Sequence, residues 1–167
     1  YRPREITYDQ FSVPDSGNIR AMIPSRIEEE EGQVSYSFYV MTDQSIFAIN
    51  PDTPNKRFGT HTVTNAFGVK EVGNNPLAIQ VTSSAAVVGT NDVLYQLSGR
   101  KIRKLVPDEA TPWASIADIA YDDIENDLFI VTGEGELWIY DMDRKRISAH
   151  LKYGDIDKVY LDERYGE

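Results

Sequence analysis

The chain has 167 residues, a formal net charge of −10 and a pI near 4.7. With 41% hydrophobic and 11% aromatic residues it is long and apolar enough to bury a core, which excludes a disordered chain. The lack of cysteine excludes disulfides and thiolate metal sites. The acidic balance disfavours nucleic-acid binding through phosphates, and no apolar run approaches the ~18 residues of a membrane-spanning helix.

In chain order, Tyr1–Glu31 fits no repeat. Tyr1-Arg2-Pro3-Arg4 and Val13–Asn18 have turn composition, Ile19–Ile23 is a candidate strand ended by Pro24, and Glu28–Glu31 is an acidic run that reads as a solvated loop. Residues 1–32 are therefore expected to be an irregular arm or connecting segment. Val34–Val40 alternates as a half-buried strand does, Ile46–Ile49 is a second strand, and two prolines stiffen the turn Asn50–Asn55. Phe58–Val63 can return as an outer strand, and Asn65–Asn75 is a glycine-containing connection. Next come Leu77–Val81, the small-residue strand Ala85–Val88, Leu94–Leu97, and a basic outer strand, Arg100–Val106. Pro107–Trp113 is a longer loop.

The stretch Ile116–Asp141 reads as three strands joined by two turns. Asp122–Asp127 and Gly133–Glu136 have turn composition, and the glycines can take positive φ. Leu128–Thr132 is a short β-branched run and Leu137–Tyr140 an aliphatic–aromatic one. Arg144–Leu151 supplies a further outer strand. Helical periodicity is absent throughout, so little or no α-helix is expected.

Leu137-Trp138-Ile139-Tyr140 matches Leu94-Tyr95-Gln96-Leu97, 43 residues before it, and that in turn matches Ile46-Phe47-Ala48-Ile49, a further 48 residues before. Each follows a short strand ending in threonine (Val40-Met41-Thr42, Val88-Gly89-Thr90, Ile130-Val131-Thr132) and a polar turn. A further copy opens at Ile156-x-x-Val159-x-Leu161-Asp162, repeating Ile116-x-x-Ile119-x-Tyr121-Asp122. Antiparallel meanders at a period of about 40–50 residues mark a β-propeller, whose blades cannot bury both faces alone and stack about an axis. The alternative all-β reading is a β-sandwich with similar hairpins. The repeats divide the chain into blade-like units at 33–75, 76–113 and 114–154, with 155–167 as the first strand of another. Ala85–Val88 is then expected near the crowded axis. The chain begins without an initiator methionine and stops in the turn of that further copy, so the expectation is an incomplete propeller cut from a longer polypeptide.

Few residues carry chemistry. His61 and His150 fall on outer strands of different repeats and read as solvated or locally paired rather than as metal ligands. Asp123, Glu125 and Asp127 alternate as calcium ligands can. Leu128, however, stands where a calcium loop needs glycine and no glutamate closes the loop, so turn chemistry is the preferred reading. Arg100–Lys104 and Arg144–Arg146 read as charge on outer or edge strands that discourages pairing, rather than as a nucleic-acid patch. No nucleophile elbow, phosphate loop or catalytic triad is present, and an enzyme would have to rest on acids such as Asp118 or Asp122 near an axis. No cofactor is expected. Trp113 is either a plug between blades or an exposed partner contact, and Tyr153 is a second candidate contact.

Leu128–Thr132 followed by Leu137–Asp141 resembles a blade of the WD-repeat and quinoprotein-like propeller class, without the Gly-His and Trp-Asp dipeptides of true WD repeats. The Ser-x-Asp-x-Gly-x-Thr-Trp box of sialidases is also missing. Pro76–Gly99 is similar to propeller segments in tail nozzle and hub proteins of short-tailed bacteriophages. That resemblance implies a virion structural role among neighbouring protein subunits. The expectation is thus a non-enzymatic assembly module. The alternative is a propeller that recognises a ligand or carbohydrate in an extracellular or sensor protein.

Overall fold

In the computed structural model, residues 17–28, 34–49, 63–66, 72, 76–82, 85–98, 101–107, 110–152 and 156–160 are described. They form three four-stranded sheets, each a meander in chain order with antiparallel neighbours. The first contains β1 (Ile19–Glu28), β2 (Val34–Thr42), β3 (Ile46–Ile49) and β4 (Val63–Ala66). The second contains β5 (Leu77–Thr82), β6 (Ala85–Gly89), β7 (Leu94–Ser98) and β8 (Lys101–Lys104). The third contains β9 (Ile116–Asp122), β10 (Asp127–Thr132), β11 (Leu137–Asp141) and β12 (Arg146–Leu151). No α-helix occurs among the described residues.

The apolar residues meet between sheets. One core joins the second and third sheets through Val87, Leu94, Trp113, Leu128, Ile130 and Tyr140. The other joins the first and second through Tyr39, Met41, Ile46, Ala86, Val88 and Leu97. Across sheets, β5 adjoins both β1 and β9, so the first strands lie innermost. Three meanders stacked side by side with first strands inward are blades of an incomplete propeller. A sandwich would close two sheets on a single core.

β6 is buried along its whole length. Ala85 and Val87 enter one core, Ala86 and Val88 the other. Its small residues therefore reflect a strand pressed from both faces, not a place at the axis. That innermost place belongs to β5, the neighbour of β1 and β9.

Two boundaries differ from the sequence reading. β1 runs through Pro24 to Glu28 and pairs with β2, so the first blade takes its first strand from the expected arm. Pro24 is exposed on a strand at the sheet edge, where a missing N–H can face away from the partner. The outer strand of this blade is Val63–Ala66, later than Phe58–Val63; residues 58–62 lie outside those described.

Candidate functional site

Each blade closes the turn after its second strand with a buried threonine: Thr42, Thr90 and Thr132. The Thr42 hydroxyl accepts the N–H groups of Gln44 (3.3 Å) and Ser45 (3.0 Å) and donates to the Ser45 carbonyl (3.2 Å). Thr90 donates to the Val93 carbonyl (3.1 Å), and Thr132 accepts the Glu136 N–H (3.3 Å). In the third blade this turn also needs Gly135, at φ 77°, a conformation side chains resist. Thr42→Val is expected to cost about 1–2 kcal/mol and Thr90→Val about 1 kcal/mol, because two backbone N–H groups and a carbonyl lose the hydroxyl in the first case and one carbonyl in the second. Thermal unfolding of the two variants would show the order.

The junction of the second and third blades holds the larger of the two buried apolar clusters among the described residues. Trp113, 7% exposed, donates its indole N–H to the Asp92 carbonyl at 3.0 Å and meets Trp138 edge-on, with ring centres 6.0 Å apart. That burial is the plug arrangement and leaves little indole for a partner to touch. Tyr153 lies outside the described residues. Ile116 donates its N–H to the Asn91 carbonyl (2.7 Å), and Tyr140 donates its hydroxyl to the Leu105 carbonyl (3.1 Å). Burial pushes the Tyr140 phenol above its ordinary pKa, with Arg103 opposing it.

At the outer end, the His150 ring stacks on Trp138 at 3.8 Å, because the register sets these residues opposite each other on β12 and β11. Glu136 lies 2.9 Å from both His150 Nε2 and Lys152 Nζ. His150 is thus locally paired; His61 lies outside the described residues. The Trp138 indole N–H is buried with no acceptor among the described residues.

The acidic turn is built by its own hydrogen bonds. Asp122 Oδ1 accepts the N–H groups of Ile124 (2.9 Å) and Glu125 (3.4 Å). Asn126 takes φ 57°, accepts from the Tyr121 hydroxyl (2.7 Å) and donates to Asp143 (2.6 Å). Among the described residues no group of three or more His, Cys, Asp or Glu side chains is disposed to hold a metal ion. Burial, then the charges of Asp123, Asp143 and Asp122, raise the Tyr121 pKa.

Two carboxylates here shift in opposite directions. Burial first, then Asp141, Glu125, Asp122 and Asp143, raise the Asp127 pKa. Its ionised form therefore costs stability at neutral pH, and the cost fades as pH falls through the raised value and is gone below the ordinary carboxylate one. Asp127→Asn should raise the melting temperature at neutral pH and leave it unchanged in acid. The hydrogen bond from Lys152 lowers the Glu136 pKa, and His150 adds to it. That contribution is full above the ordinary carboxylate value and disappears as pH falls through the depressed one. Glu136→Gln should therefore lower the melting temperature at neutral pH, and the deficit should close in acid.

A cleft of about 510 Å³ opens at the inner edge, lined by Ile79 and Val81 of β5, Ile119 and Tyr121 of β9, and Val159 and Tyr160, with Gln80, Thr82 and Asp123 as polar groups. Asp118 Oδ2 accepts the Val159 N–H at 3.0 Å, which ties residues 156–160 to β9. Asp118 and Asp122 are thus both engaged by backbone N–H groups. Lys101, Arg103 and Lys104 are exposed on β8, the outer strand of its sheet, and Arg103 bonds Gln96 at 2.9 Å. No helix among the described residues is long and apolar enough to cross a membrane.

No protein-family model matches the chain, and no curated protein matches its sequence. Among solved structures it is similar to Saccharomyces cerevisiae Sqt1, a WD40 protein. The TM-score is 0.51 at 18% identity, over 84% of this chain and 41% of that one. It also matches a functionally unknown protein from Desulfotomaculum acetoxidans, at TM-score 0.48 and 16% identity, over 86% of this chain and 46% of that one. The chain therefore spans less than half the length of either. The likeness to Sqt1 agrees with the propeller-like arrangement of the sheets and reaches no further than fold.

Proposed function

We propose that the chain is a non-enzymatic propeller module that binds protein subunits within a larger assembly. The reading rests on where its large apolar side chains are left in water. Ile19 (49% exposed) and Met22 (54%) lie on β1, Ile124 (69%) in the acidic turn, and Tyr160 (85%) beside the inner cleft. Two of these side chains lie on the first strand of the first sheet, one in a turn and one at the cleft, and each leaves apolar area that a protein partner would bury. A phage tail is the specific setting implied by the resemblance of Pro76–Gly99; it rests on that segment alone. Native mass spectrometry of the assembly that carries the chain tests the reading. A multi-subunit particle that loses subunits in an Ile124→Asp, Tyr160→Ala variant is expected. A free monomer in the unaltered material would overturn it.

The cleft supports a second reading, recognition of a saccharide or other small ligand. Two tyrosines face it together with Gln80, Thr82 and Asp123, a mixture of aromatic surface and hydrogen-bonding groups. A saccharide panel that raises the melting temperature, with the rise lost in Tyr160→Ala, would favour this reading over the first.

A further inference from the structure

The second sheet runs against the charge of the chain. Between residues 76 and 106 stand four cations, Arg100, Lys101, Arg103 and Lys104, against one acid, Asp92, in a protein of net charge −10. On the outer hairpin the register sets Gln96 opposite Arg103 and Ser98 opposite Lys101. Side chains alternate along a strand, so these four share one face, while Leu97 and Ile102 pack toward the core with the first sheet. The four line a cavity of about 540 Å³ together with Ile102, which lies between the two cations on β8. That volume is in the range of small-molecule sites, roughly 300–1,000 Å³.

The polar groups of this face are nearly all donors. Gln96 Oε1 accepts the Arg103 Nε–H at 2.9 Å. That bond uses the amide oxygen, orients the guanidinium and leaves the Arg103 Nη and Gln96 Nε2 N–H groups for another acceptor. Lys101 adds an ammonium and Ser98 a hydroxyl. Among the described residues neither Lys101 nor Arg103 has a carboxylate within ion-pair distance, whereas Arg20, Arg144 and Lys152 each have one. Charge on an outer strand discourages edge pairing wherever its side chains lie. That role requires neither a cavity, nor two cations on one face, nor an amide that orients the guanidinium. We infer that this face is a binding site for a small phosphate monoester, with the phosphate on Lys101 and Arg103, Ser98 and Gln96 as further donors, and the carbon skeleton against Ile102. A phosphate monoester carries about −1.5 to −2 charge at neutral pH and three acceptor oxygens, which matches two cations and a set of donors better than one carboxylate does. The site lies on the outer strands of its sheet, and the cleft adjoins the innermost one, so the inference is independent of what binds in the cleft.

Calorimetric titration of phenyl phosphate into the native polypeptide that carries these residues tests it. Saturable binding is expected, weakened about tenfold or more in Lys101→Gln and in Arg103→Gln, as the loss of a charge-assisted hydrogen bond implies. Arg146→Gln, which removes a cation from β12, should leave the affinity unchanged. Phenyl sulfate, similar in shape with less charge, should bind more weakly. Absence of saturation, an unchanged affinity in Arg103→Gln, an equal loss in Arg146→Gln, or equal affinity for the sulfate would overturn the inference. Acetylation of the unaltered polypeptide with acetic anhydride, read by mass spectrometry, gives a second measurement that does not depend on a variant folding. Phenyl phosphate should slow the labelling of Lys101 several-fold and leave that of Lys145 unchanged; equal rates at Lys101 with and without it would overturn the assignment.

Discussion

Replacing Trp113 with alanine is expected to destabilise the 167-residue chain by about 3–5 kcal/mol, the cost of emptying a buried aromatic site. The indole fills the junction of the second and third blades, packs edge-on against Trp138 and bonds the Asp92 carbonyl. Total stabilities of single domains are about 5–15 kcal/mol, so this one change would take a large share. Trp113→Phe keeps most of the apolar volume but loses the hydrogen bond, and should cost only about 1–2 kcal/mol. Urea unfolding followed by circular dichroism would give both values. A loss below about 1 kcal/mol for the alanine variant would show that the junction does not depend on this side chain.

The second large effect concerns the two faces of the third sheet. Leu128 is fully buried in the core shared with the second sheet. Leu128→Ala should cost about 2–5 kcal/mol. Leu137, on the opposite face, is half-buried, and Leu137→Ala in the same chain should cost about 1 kcal/mol or less. The comparison holds chemistry constant and varies only which face is covered. Similar losses from the two substitutions would show that the outer face is already packed within the 167 residues.

The repeat was legible because its signal is local. Ile46-Phe47, Leu94-Tyr95 and Leu137-Trp138 each follow a threonine-ended strand and a polar turn, and short-range alternation and turn chemistry need no tertiary knowledge. β1 was truncated because proline reads as a stop unless the strand is known to be an edge, which only the sheet order reveals. The threonines were visible at matching positions, yet their hydroxyl bonds required the turn geometry. Trp138, His150 and Glu136 were not foreseen as a group. Trp138 and His150 meet through the β11–β12 register, in a ladder that contains a bulge between Ile139 and Tyr140. Nor could the sequence show that Asp118 holds the Val159 N–H, a contact spanning 41 residues.

The two cores lie between consecutive sheets, and β6 contributes to both. Such a stack behaves as a line of coupled units, in which stability is a sum of nearest-neighbour terms. Each end unit has one partner within the described residues and the middle unit has two. Opening events should therefore begin at the ends and reach the centre last, grading amide exchange along the chain. The amides of Ala85–Gly89 should be the slowest to exchange. A substitution in Ala86 or Val87, each facing a different neighbour, should weaken one junction while leaving the other intact, so that each half of the molecule can be loosened separately.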